Sequence, residues 1–189
     1  MTSPLRLRSH GEPHSSLDGW LVVYCAATPG VKVSNNATVQ LDLDNELQPD
    51  LLLRIESSAG GRSRVNEKGY VEGPPELVAE IAASSLSYDL HDKLRAYRRN
   101  GVQEYIVWRV EDRQVDWFEL KEGEYARLAP DEAGVIHSRV FPGLRLAAQA
   151  LLNGDMAALL ADLQARLASP EHAAFVEQMR AHLAAQPRE

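Results

Sequence analysis

QPDLLLRI, residues 48–55, sets a carboxylate at the mouth of an apolar run. Leu51, Leu52, Leu53 and Ile55 read as a buried strand, yet Asp50 precedes them with Pro49 in front. An ionised carboxylate in apolar surroundings is costly without a partner, and metal coordination is one of the few ways to offset that cost. The oddity repeats. ELVAEIAAS, residues 76–84, is a second strand-like run, and Glu80 interrupts it in otherwise apolar company. As neighbours in one sheet, Asp50 and Glu80 would converge on Mg²⁺ or Mn²⁺, ions that take oxygen ligands and keep several waters.

Downstream of Glu80, Asp89 to Arg99 has the spacing of a helix, with Leu90, Leu94 and Tyr97 on one face, Ser87 as N-cap and Asn100-Gly101 as a left-handed stop. A strand-turn-helix unit folds such a helix back across the strand end, which brings Lys93 toward Glu80. A metal-bound carboxylate pair with a lysine beside it suits phosphodiester hydrolysis. The plainer alternative pairs Lys93 with Asp89, one helical turn earlier, as a surface contact.

EYIVWRV (104–110) and QVDWFEL (114–120) flank the polar tripeptide EDR, the pattern of a hairpin, and EYARLA with VIHSRVF extends the strand series toward Pro142-Gly143. Upstream, Leu17, Trp20, Leu21, Tyr24 and Cys25 predict an amphipathic helix over about 15–27, ended by Thr28-Pro29-Gly30. Val39, Leu41 and Leu43 alternate with Gln40, Asp42 and Asp44, which predicts a half-buried strand forming an antiparallel hairpin with the opening segment. Residues 56–74, rich in glycine, serine and mixed charge, predict the longest exposed loop.

The last forty residues change character. Leu152, Met156, Leu159, Leu160, Leu163 and Leu167 form a helical stripe; Ser169-Pro170-Glu171 then opens another helix bearing Phe175, Val176, Met179 and Leu183. This pair is either a helical hairpin packed on its own domain or a homodimer interface. The division expected is a domain over 1–149 and a C-terminal helical extension over 150–189.

The 189 residues, 44% apolar and 25% charged, suit one domain, since single cores grow up to about 250 residues. No apolar run approaches the roughly 20 residues that cross a bilayer, and no signal-peptide pattern follows Arg6 and Arg8, so a cytoplasmic protein is expected. Cys25 is the lone cysteine, which leaves no internal disulfide. A net charge of −7 argues against indiscriminate coating of nucleic acid, but two local stretches are basic. One holds Arg54, Arg62, Arg64 and Lys68; the other holds Lys93, Arg95, Arg98 and Arg99. Arg62, Arg64, Lys68 and Arg95 are the residues expected on DNA. His10 and His14 are four apart, but Pro13 between them argues against one helical turn presenting both to a metal.

Taken together, QPDLLLRI, the long run PPELVAEIAASSLSYDLHDKLRAYRRNGVQEYIVWRV and GEYARLAPDEAGVIHSRVFPGLRL resemble the Uma-two family, a group assigned as bacterial endonucleases within the PD-(D/E)xK restriction-endonuclease-like superfamily. The match spans roughly 14–153. The motifs occur in the family's order: Pro-Asp at 49–50, Glu80 before a serine turn, Asp89-x-x-x-Lys93-x-x-x-Tyr97, and Gly101-Val-x-Glu-Tyr105. The resemblance implies an α/β fold with a central mixed sheet flanked by helices, Asp50 and Glu80 as ligands of Mg²⁺ or Mn²⁺, and DNA as substrate. In the superfamily pattern a lysine stands two residues after the glutamate, where this chain has Ala82; the resemblance carries that role to Lys93. Family members usually have a further N-terminal segment before the first core helix; here His14 matches the histidine opening that helix, and Glu12 replaces an upstream acid weakly. The rival readings are a non-catalytic module that keeps the fold and binds nucleic acid or protein, and a homodimeric interaction protein.

Overall fold

The two strands that carry the misplaced carboxylates are neighbours in the computed structural model, which describes residues 7–42, 45–83 and 88–185, with 88–90 by backbone alone. Helix α1 (Glu12–Ala27) is followed by β1 (Val31–Asn35), β2 (Val39–Gln40), β3 (Glu46–Leu47), β4 (Leu51–Ile55), β5 (Arg64–Val65), β6 (Val71–Glu72) and β7 (Leu77–Ala82). Helix α2 (Tyr88–Arg99) leads to β8 (Glu104–Arg109), β9 (Gln114–Lys121), β10 (Glu124–Arg127), β11 (Val135–His137) and β12 (Arg145–Ala147). Helices α3 (Ala148–Leu152), α4 (Met156–Leu167) and α5 (Pro170–Ala185) end the chain.

The main sheet runs β1-β4-β7-β8-β9-β10. Only β7 and β8 pair in parallel, and α2 provides the crossover that parallel neighbours require. Strands β4, β7 and β8 read as mostly apolar runs because both of their faces are covered. One face packs Leu51, Leu53, Ala79, Ile81, Ile106 and Trp117 against Leu17, Trp20, Leu21 and Tyr24 of α1 and the buried residues of α3, α4 and α5. The other packs Leu52, Val78, Tyr105 and Val107 under Tyr97 of α2 and under Val39 and Val71. Gly101, at φ +77°, ends α2 as expected.

Three expectations need correction. The antiparallel partners of β4 are β7 and β1, with Val33 of β1 opposite Leu53, and not the stretch around 39–43. Val39 and Gln40 pair instead with β3 and β6 in a separate small sheet, ordered β3-β2-β6-β5, while Leu43 and Asp44 lie outside the described residues, as do Ser84, Ser85 and Ser87. The stretch 56–74 is therefore no simple loop: a 3₁₀ turn (Ser57–Ala59) and the β5–β6 hairpin occupy it, and Glu76, 1% exposed, anchors it by accepting from the N–H groups of Ile55 (2.8 Å) and Arg62 (3.0 Å). Third, Val135–His137 does not extend the main sheet but pairs with β12. A period-2 pattern marks a strand and not its partner, so the sequence left these pairings open.

The C-terminal stripe is covered within the chain. Leu159 and Leu163 are fully buried against the core that includes α1, and Phe175 and Met179 join the same cluster. His172, 4% exposed, bridges Thr28 Oγ1 (2.9 Å) and the Leu167 carbonyl (2.9 Å). Among the described residues no helix is long and apolar enough to cross a membrane.

Glu104 holds the layers at the α1 side of β8. Fully buried, it accepts from Trp117 Nε1 (3.2 Å), Ser138 Oγ (2.8 Å) and the N–H groups of Arg139 (2.6 Å) and Val140 (3.2 Å). Burial pushes its carboxyl up to about 7 against the pull of these donors. Glu104→Gln keeps the shape but replaces one acceptor oxygen by an NH₂, leaving donors facing a donor. Urea unfolding should show a loss of about 2 kcal/mol; an unchanged midpoint would mean that the loop 138–140 does not depend on this carboxylate.

Candidate active site

Register brings the two carboxylates together. Leu51 pairs with Ala79, and continuing that register by one residue sets Asp50 opposite Glu80. Side chains alternate faces along a strand, so Asp50 and Glu80 both emerge on the face covered by α2. Pro49 is buried, and the Asp50 carbonyl accepts from Asn36 N–H (3.1 Å) and from His14 Nε2–H (3.0 Å), which fixes the backbone at the strand's mouth.

Each carboxylate has a distinct cradle. Asp50 Oδ2 accepts from the Ile81 N–H at 2.7 Å, while Oδ1 lies 3.5 Å from His10 Nε2. Glu80 is 3% exposed; its Oε2 accepts from Lys93 Nζ at 2.8 Å and its Oε1 from the Tyr97 hydroxyl at 2.8 Å. Burial raises the Glu80 carboxyl above the usual carboxylate range; Lys93 pulls it down and Asp50 adds to the rise. Tyr97 is also raised, by burial and by Glu80, and so stays a neutral donor. Lys93 and Tyr97 reach one carboxylate because residues four apart share a helix face. Lys93 therefore turns inward, and the side chain of Asp89, its alternative partner, lies outside the described residues.

His10 and His14 do not share one regular helical turn, yet both lie beside Asp50. Pro13 occupies the start of α1, where its missing N–H costs nothing, and a π-helical turn (Leu7–Gly11) before it widens the spiral. Both rings consequently reach Asp50, with centroids 5.9 Å apart. A rule about proline inside a helix missed them because this proline stands at a helix start. Tyr97 was more legible, since its spacing from Lys93 already placed the two side chains on one face.

The basic residues divide between two places. Lys93, Arg95, Arg98 and Arg99 line a cavity of about 580 Å³ between α2 and the β3 residue Leu47. Arg98 is also paired with Glu124 of β10. Arg62 instead donates to the Gly101 carbonyl at 2.7 Å, tying the 56–62 turn to the end of α2. Arg64 pairs with Glu72 at 2.7 Å, and Lys68, at the tip of the β5–β6 hairpin, borders a different cavity of about 500 Å³ with Arg64 and Asn66. Ala82, at the superfamily's lysine position, is buried and pairs in register with Arg109.

These donors fit a hard divalent cation. Asp50 Oδ1 lies 3.5 Å from His10 Nε2, Glu80 stands opposite Asp50 in register, and among the described residues no group of three or more His, Cys, Asp and Glu is placed to hold a metal ion. Such an open set suits an ion that retains waters better than one that demands complete protein coordination.

The comparisons with known proteins bear on the family and the fold. Residues 1–149 match the family model described as "Uma2: Putative restriction endonuclease". No curated protein matches the chain. Among solved structures, one described as a "putative nuclease belonging to DUF820" from Anabaena variabilis superposes with a TM-score of 0.62 at 14% identity, covering 81% of this chain and 85% of that one. At that identity the likeness is one of fold.

Lys93→Met would leave Glu80 buried with Tyr97 as its remaining donor. The Glu80 carboxyl, already raised in the folded state, would rise further. A raised folded value means that its contribution to stability is full below the unfolded value of about 4.3 and is lost as pH rises through the folded value. The substitution should therefore cost about 2 kcal/mol at about pH 8, a buried-pair figure discounted for a partly exposed lysine, and clearly less at about pH 5. Urea midpoints of metal-free protein at both values check this; equal losses would contradict it.

Proposed function

Because the chain belongs to the Uma2 family, we propose that it is a metal-dependent endonuclease hydrolysing phosphodiester bonds of DNA in the cytoplasm. One observation carries the reading: Asp50, Glu80 and Lys93, from two neighbouring strands and a crossing helix, meet on one face beside a cavity lined with arginines. Asp50 and Glu80 hold Mg²⁺ or Mn²⁺. The ion, when bound, supplies positive charge to the reacting phosphate and makes a bound water more acidic.

The chain's own groups do the rest. Ile81 N–H and Tyr97 hold the two carboxylates in place, so that their orientation is set before substrate arrives. Lys93, whose side chain is 27% exposed, spans the buried Glu80 and the open cavity; its ammonium steadies the attacking water or the scissile phosphate as negative charge grows there. Arg95 and Arg99 grip backbone phosphates along the same cavity. Arg62, Arg64 and Lys68 add contacts through the donors that their present bonds leave over.

A second reading, a non-catalytic DNA-binding module, draws on the completeness of the Glu80 cradle: both oxygens already accept a hydrogen bond from the chain itself. Supercoiled plasmid incubated at low salt with Mg²⁺ or Mn²⁺ separates the two. Wild-type protein should nick it, and Glu80→Ala and Lys93→Ala, prepared identically, should lose at least about a hundredfold in rate. Equal nicking by all three would expose a contaminant. Wild type that binds plasmid, single-stranded and branched DNA without cutting any would favour the module.

A further inference from the structure

Both oxygens of Glu80 are engaged by the chain itself: Oε2 accepts from Lys93 Nζ and Oε1 from the Tyr97 hydroxyl, each at 2.8 Å. To ligate a cation, Glu80 must share an oxygen with one of these donors, and the two respond differently. The Tyr97 hydroxyl is neutral and stays compatible with an ion beside it. The Lys93 ammonium is a like charge, and a divalent ion on the same carboxylate repels it.

Lys93 has a second place to go. Its side chain is 27% exposed where that of Glu80 is 5% exposed, and it borders the cavity of about 580 Å³ that Arg95, Arg98 and Arg99 also line. Asp92 is the one acid among the described residues lining that cavity, so an ammonium released into it meets mostly cations. Its move becomes favourable when an anion enters as well. A lysine suits such a change of partner, because its ammonium is a compact point charge on a flexible four-carbon stem, whereas a guanidinium fork is bound to one planar geometry.

We propose that Lys93 is a built-in competitor for the divalent ion: it yields Glu80 to the ion and passes to a backbone phosphate in the cavity, so that ion and DNA each tighten the binding of the other. The proposal rests on the nuclease reading and adds the regulation of its site. An ion without DNA drives the ammonium in among the arginines. DNA without an ion finds Lys93 held by Glu80. With both bound, the carboxylate, the ammonium and the phosphate all have partners of opposite charge, and the coupling is reciprocal because it is a binding free energy.

Calorimetric titration of Mn²⁺ at about pH 8, where a proton competes little for the carboxylate, tests this with and without a short duplex. Phosphorothioate linkages keep the charge of that duplex and slow its cutting, and a gel of the same sample checks that it stays intact. In the wild type the duplex should tighten Mn²⁺ binding at least about tenfold, within the usual range for coupled sites. Without DNA, Lys93→Gln and Lys93→Met should bind Mn²⁺ more tightly than the wild type, and each should gain at least about fivefold less from the duplex. Tyr97→Phe is the contrast: it should weaken Mn²⁺ binding and keep the wild-type gain from DNA. An equal gain in the wild type and both Lys93 variants would overturn the exchange and leave the nuclease reading standing. So would Lys93 variants that bind the ion no more tightly than the wild type, or a wild type indifferent to the duplex. No Mn²⁺ binding by the wild type in either condition would overturn the exchange and the shared metal site together.

Discussion

Glu80 is a charge in the middle of a strand buried on both faces, and the surrounding structure is arranged to tolerate it. Its neighbours Val78, Tyr105 and Val107 are apolar, so the compensation must arrive from outside the sheet. Helix α2 delivers it as Lys93 and Tyr97, one turn apart. That requirement fixes how α2 lies across β7 and β8, and the parallel crossover follows from it. Asp50 reaches the same face because β4 runs antiparallel to β7 in a register that sets the two acids opposite each other, and its carboxylate locks onto the Ile81 N–H just past Glu80. Two like charges on adjacent strands repel, which is one reason that Glu80 is raised. A divalent ion removes that repulsion, and Lys93 alone removes only part of it.

Most of this was legible because it is written in runs long enough to have a period. The strands β7, β8 and β9 and the helix α2 are bounded by clear signals, and the two acids stood out against apolar neighbours. The parts that were not legible rest on pairing and on special geometry. Strand β1, VKVSN, is short and only partly apolar, so nothing in it announced that it would flank β4. Strands of two residues such as β5 and β6 are below the length at which alternation can be seen. His10 needed a π-helical turn to reach Asp50, and no local composition rule reports such a turn in advance. Arg62 is the exposed cation that composition suggests, but its bond to the carbonyl at the end of α2 could not be read from sequence.

Charge distribution reconciles an acidic chain with the proposed polyanionic substrate. The net −7 is a property of the whole sequence, whereas the proposed DNA substrate meets one face, and on α2 four cations line one cavity. Repulsion over the rest of the surface would confine binding to that face and make it steeply dependent on salt. Along α2, Lys93 and Tyr97 hold the Glu80 carboxylate, while Arg95 and Arg99 line the cavity that Lys93 also borders.

The central claim is that Asp50 and Glu80 form one site for one divalent ion. Calorimetric titration of Mn²⁺ into the metal-free wild type, Asp50→Ala and Glu80→Ala tests it without any dependence on substrate or on cutting. The account predicts a single saturable site in the wild type, lost or weakened at least about tenfold, or about 1.4 kcal/mol, in each variant. Binding that is equal in all three proteins would contradict it.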